Sequence, residues 1–215
     1  NALAIYRRIH SELGNLRLLE DFGEIALACG VAFLGMDTRY VFDVTRNLRD
    51  EVNRLVPDWE VQDIFSTPFG SAAGVALGVR DLTTFLVFGR SEMMESARER
   101  LRGAGVAENC QEDQLSRGGA AHLLNLTDDL ENSSIWTVLP PDVPPNVRTA
   151  FAMGTPKVLT LWPPQLQLFE LETNPLSSSA RRLLLSTPTS AGKTLLAQLL
   201  ILSHLATSST SVCYV

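Results

Sequence analysis

The sequence predicts a mixed α/β chain: a mainly helical N-terminal region, then a strand–loop–helix–strand (βαβ) unit of the kind that builds parallel sheets. Three observations predict it. Residues 1–56 place apolar side chains at three- and four-residue spacing, the period of a helix with one buried face. The stretch Leu139-Pro-Pro-Asp-Val-Pro-Pro145 carries four prolines in seven residues, which cannot continue a helix and favour a stiff, extended path. Beyond it, the loop Thr187-Pro-Thr-Ser-Ala-Gly-Lys-Thr194 stands between short apolar runs.

In the N-terminal region Leu3, Ile5, Tyr6, Ile9 and Leu13 repeat at helical spacing, with Arg7, Arg8 and Glu12 between them. Gly14-Asn15 punctuates, residues 16–34 resume the pattern, and Asp37-Thr38 caps a further helix that runs through Val56 until Pro57 stops it. Residues 59–65 fit a short strand or a helical turn. The run Thr83-Thr-Phe-Leu-Val-Phe88, rich in β-formers and bounded by Asp81 and Gly89, is expected to be a strand. Ser91 opens a helix with Glu92 and Glu95 in its first turn and Arg98, Arg100 and Arg102 towards Gly103, charges that suit the helix dipole. Residues 103–119 read as a loop and residues 120–130 as a short helix.

The proline-rich segment sets the expected organisation: residues 1–138 as the helical region, 139–157 as linker, and 158–215 as the start of a second domain. There Arg182-Leu-Leu-Leu-Ser186 suits a strand buried on both faces. Residues 195–205 are apolar almost all round, as in a buried helix, and residues 212–215 suit a second buried strand. An opening on Asn1 and an ending on Val212-Cys-Tyr-Val215 read as a piece of a longer protein.

Hydrophobic content of 45% and charged content of 20% in 215 residues are those of a globular chain able to bury a core. A net charge of −6 offers nucleic acid no overall attraction and disfavours a compact nucleic-acid-binding module. Cys29, Cys110 and Cys213 are far apart, which argues against a disulfide framework or a zinc site and for a reducing, intracellular setting, cytoplasmic or nucleoid and nuclear. The apolar stretch 25–35 is too short to cross a bilayer, and 72–88 is interrupted by Arg80-Asp81, so no membrane span is expected.

The loop at 187–194 has the chemistry of a phosphate cradle. Backbone N–H groups from Ser190 to Thr194 can turn inward around a β-phosphate at the positive end of the helix that starts there. Gly192 admits close approach of the backbone where a Cβ would clash. The Lys193 ammonium, one of two lysines in the chain beside Lys157, can bridge β- and γ-phosphates and neutralise charge as it develops, a catalytic role. The Thr194 hydroxyl is a hard oxygen ligand suited to Mg²⁺. Thr187 stands where the usual pattern begins with glycine.

Pro188-Thr-Ser-Ala-Gly-Lys-Thr194 followed by Leu-Leu-Ala-Gln resembles motif I of superfamily 2 helicases, most of all the Ski2-like branch. Leu161-Trp-Pro-Pro-Gln-Leu166 resembles that branch's Q motif, and Gln165 stands 28 positions before Lys193. The resemblance covers residues 158–215. It implies a RecA-like lobe, a first position of the loop that need not be glycine, and a nucleotide held by Thr187, Pro188, Thr189, Ser190, Ala191, Gly192, Lys193 and Thr194. It also implies that the Gln165 amide reads adenine through N6 and N7, and that residues 211–215 lead towards the next motif. The function implied is the front end of an ATP-dependent helicase, acting on DNA in preference to RNA, with ATP and Mg²⁺ as cofactors and nucleic acid as partner. Without the acidic pair that holds Mg²⁺ and activates water, the fragment alone is expected not to hydrolyse ATP. Two alternatives stand beside it: an ATP-driven duplex translocase of a restriction or defence system, and a protein-interaction module formed by residues 1–150.

Other candidates carry less. His10, His122 and His204 are isolated from one another and from cysteine, and His204 is expected to pack or bond locally. Asp128-Asp129-Leu-Glu131 reads as a solvated helix end. Residues 177–182 read as a surface loop, and no Ser–His–Asp or Cys–His arrangement stands at a recognisable spacing.

Overall fold

A computed structural model of the chain describes residues 18–55, 70–106, 114–170, 175–176 and 192–213. Among them are nine helices: α1 (Leu18–Leu34), α2 (Thr38–Leu55), α3 (Gly70–Phe88), α4 (Ser91–Val106), α5 (Gln114–Ser133), α6 (Ile135–Val138), α7 (Pro145–Met153), α8 (Pro163–Glu170) and α9 (Lys193–Thr207). The chain divides into two compact units, one of Asn1–Phe85 with Arg90–Thr127, the other of Leu86–Gly89 with Asp128–Val215.

In the first unit α1 packs against α2. Phe22, Ala26, Cys29 and Phe33 form the buried face of α1, and Thr38, Val41, Thr45 and Leu48 that of α2, each set at three- and four-residue spacing. Burying each large apolar side chain of this kind contributes about 1.5–3 kcal/mol. Asp37 caps α2 by accepting the Tyr40 N–H at 3.1 Å. Helices α3 and α4 meet closely because α3 presents small residues. A Cβ on Gly78 would come within 2.9 Å of Leu101 Cγ, and Ser71 Oγ donates to Ala104 O at 2.7 Å.

Helix α3 is long and apolar enough to cross a membrane, the one such helix among the described residues, and 83% of its apolar window is buried within the protein. The charge on it is matched locally. Asp81 Oδ2 accepts from Arg100 Nε at 2.8 Å and from Ser96 Oγ at 2.7 Å. An acid placed in a core helix needs such partners, since an unpaired buried carboxylate is costly.

The second unit is organised around Trp136, Arg148 and the proline-rich turn. Trp136 Nε1 donates to Leu86 O at 2.9 Å, and its ring lies where a Cβ on Gly89 (φ +69°) would stand. Arg148 donates to Trp136 O at 2.8 Å through Nη1, and to Leu139 O at 3.1 Å and Pro140 O at 2.6 Å through Nη2. One guanidinium thus gathers three backbone carbonyls around the proline-rich turn. Partial burial lowers its pKa from the usual guanidinium range. Ser134 and Thr160 form an isolated antiparallel bridge, with Ile135 N donating to Leu159 O at 3.1 Å and Leu161 N to Ser133 O at 2.8 Å. Helix α7 packs against both α6 and α9.

These helices correct the α/β expectation: among the described residues there is no β-strand, and no βαβ unit of a RecA-like lobe is present. Residues 83–88 are the last turns of α3. Their β-branched threonines fit a helix because Thr83 Oγ1 donates to Val79 O at 2.7 Å and Thr84 Oγ1 to Arg80 O at 2.8 Å, while Leu82, Phe85 and Leu86 are buried. Tertiary burial overrides β-propensity here. Residues 103–106 continue α4, and α5 begins at Gln114, so glycines read as loop markers are carried inside helices. Residues 211–213 adopt no strand, and Val212 and Cys213 are exposed. A short apolar run becomes a strand only where neighbouring strands take its N–H and C=O groups, and none stands among the described residues. The expected strand at 182–186, the expected helix at 1–13 and the ambiguous segment 59–65 lie outside the described residues.

Candidate functional site

The site is built from the start of α9. Gly192 precedes the helix in the left-handed conformation, φ 75° and ψ 35°, which L-residues with a Cβ rarely adopt. Its carbonyl accepts the first helical bond, from Leu196 N at 3.3 Å. No side chain caps this end, so the leading N–H groups of α9 are not taken by an N-cap side chain. Lys193 and Thr194 follow at once and are both exposed, so an ammonium and a hydroxyl stand beside those N–H groups. Helix α9 is held by Leu196 and Leu199, which are buried, whereas Leu202 and Leu205 are exposed. The helix therefore buries one side only, not its whole circumference as its composition suggested. Ser203 Oγ, also on α9, is buried without a hydrogen-bond partner.

The second part of the site is the start of α8. Trp162 is the residue before that helix, Pro163 and Pro164 are its first two residues, and Gln165 is the third. Proline suits the first turn because its missing N–H would have no helical acceptor there. Gln165 Oε1 accepts the Trp162 N–H at 2.9 Å, and the backbone N–H groups of Gln165 and Leu166 donate to Trp162 O at 2.7 and 3.0 Å. This is the glutamine half of a capping box. Gln165 is only 3% exposed, whereas Trp162 is 59% exposed.

The two helix starts meet. A Cβ on Gly192 would collide with the side-chain amide of Gln165, with Nε2 the nearest atom. Residues 27 positions apart in sequence are thus in contact, and glycine at 192 is required twice, by backbone conformation and by space.

Of the expected site residues the structure therefore describes Gln165, Gly192, Lys193 and Thr194; Thr187, Pro188, Thr189, Ser190 and Ala191 lie outside the described residues, as does the 177–182 loop. His204 is exposed on the last turn of α9, its Nε2 paired with Thr210 Oγ1 at 2.7 Å, and Asp128 and Asp129 are exposed near the end of α5. No group of three or more His, Cys, Asp or Glu side chains suited to a metal occurs among the described residues. A magnesium ion delivered with a triphosphate needs few protein ligands, because phosphate oxygens and water fill most of its octahedron, and the exposed Thr194 hydroxyl suits that demand. What sequence reading missed is Trp162 as the residue that opens α8. The order Trp-Pro-Pro-Gln, with proline in the first turn and glutamine at its third position, is a helix-start signature from which that role can be read.

No family model, curated protein or solved structure matches the chain. With no strand flanking α9 among the described residues and no matching family model, the expected membership of the Ski2-like branch of superfamily 2 is overturned.

Proposed function

We propose that the chain binds ATP with Mg²⁺ at the start of α9, and that the nucleotide serves an ATP-dependent enzyme working on nucleic acid, DNA ahead of RNA. The observation that carries the binding half is the left-handed turn at Gly192, which opens a helix with no side-chain cap directly before the exposed Lys193 and Thr194. Helix N–H groups and the positive end of the dipole favour phosphate, the ammonium adds a full charge, and the hydroxyl supplies an oxygen to the metal. The exposed Trp162 ring, which opens α8 beside Gln165, offers a stacking face for a purine. The nucleic-acid half extends the binding half to the substrate class expected from the sequence, and it is tested separately.

Calorimetric titration with ATP and Mg²⁺ tests the reading. Lys193→Ala should weaken binding about tenfold or more, the scale of a lost charge-assisted contact. Thr194→Ala should weaken it chiefly when Mg²⁺ is present. An unsubstituted chain that takes up no ATP, or a Lys193→Ala variant that binds equally well, sinks the binding half. Failure to bind DNA or RNA oligonucleotides at low salt sinks the nucleic-acid half.

A further inference from the structure

We infer that Gln165 is a positioning residue for the phosphate-binding turn, acting on the triphosphate end of the ligand and not on its base. The inference rests on the reading of α9 as a nucleoside-triphosphate site and changes how that site selects its ligand.

Reading a base requires an edge that presents a donor and an acceptor together. Gln165 is placed otherwise. It is 3% exposed, its Oε1 accepts the Trp162 N–H at 2.9 Å, and its amide fills the space behind Gly192. The side chain therefore links two helix starts: its oxygen closes the first turn of α8, and its nitrogen end backs the left-handed turn from which α9 begins. Glycine at 192 gains conformational freedom that nothing in its own side chain can limit. A buried amide packed against it supplies the limit, holding the leading N–H groups of α9 in one direction. Phosphate oxygens respond to that direction, whatever base they carry.

The roles separate by ligand. A base reader affects ATP and leaves inorganic tripolyphosphate alone, whereas a positioning residue affects both alike. The full chain and its Gln165→Ala and Gln165→Glu variants would be titrated with ATP, GTP and tripolyphosphate, each with Mg²⁺. Glutamate keeps an acceptor for the Trp162 N–H and nearly the same volume, so it preserves the comparison should Gln165→Ala fail to fold. The charge it adds acts on all three ligands alike.

Gln165→Ala should lower affinity for all three ligands by a common factor of about tenfold, the effect of one lost hydrogen bond with its packing. The ratio of ATP to tripolyphosphate affinity should stay constant across the three proteins. A loss confined to ATP in either variant overturns the assignment and makes Gln165 a reader of adenine; unchanged affinity for all three ligands in Gln165→Ala overturns it as well. If the unsubstituted chain binds none of them, the nucleotide reading itself falls and takes this role with it, a result distinct from either failure in the variants.

Discussion

Cys29 has no exposed surface on the inner face of α1, and burial pushes its thiol from 9.0 up to about 12. Ionising it in place would put a thiolate among apolar side chains without solvent. The folded chain thus holds this proton more tightly than the unfolded chain does. The stability it contributes is fully present below pH 9.0 and is lost as pH rises from there towards about 12. Urea unfolding measured between pH 8 and pH 11 should show a midpoint that falls with alkalinity, and Cys29→Ala should make that fall shallower. An identical slope in the variant would mean that other groups set the alkaline limit. Gly192 is the other residue where one position carries a large consequence, because its left-handed backbone and the amide behind it both exclude a side chain.

At the scale of elements, glycine has opposite meanings in different places. Gly89 ends α3 at φ +69° with the Trp136 ring against it, and that ring is fixed by its bond to Leu86 O. Gly89→Ala adds the left-handed penalty of about 1–2 kcal/mol and must also displace the ring, so a loss of about 2–4 kcal/mol is expected in denaturant unfolding. Gly118, within α5, has nothing within 4 Å of its missing Cβ. Gly118→Ala should raise stability by about 0.5–1 kcal/mol, and equal effects at the two positions would contradict this account. The same contrast explains what the sequence disclosed. Helix α2 was legible because its buried positions keep a helical period and Asp37 announces its start. Residues 103–119 were not, because glycines inside α4 and α5 look like breakers until packing is known. Residues 83–88 misled in the other direction: β-branched side chains suggested a strand, and only the burial of Leu82, Phe85 and Leu86 makes them helical.

At the scale of the whole molecule, the chain comprises two compact units, and the candidate site belongs to the second. The start of α9 was legible because a left-handed glycine followed by lysine and threonine states its chemistry locally. The burial of Gln165 was not, since nothing near it in sequence reports a contact with a residue 27 positions away. The α/β reading failed for a related reason. An apolar run taken alone suggests a strand, whereas a strand depends on partners elsewhere in the chain. The central claim is that ATP and Mg²⁺ bind at the start of α9, and residue-resolved amide hydrogen exchange across the entire chain tests it most directly. The expected result is slowed exchange on adding ATP and Mg²⁺ at residues 192–196, with none in α1 or α2. Saturating ATP that leaves residues 192–196 unchanged, or that protects α1 and α2 instead, would contradict the claim.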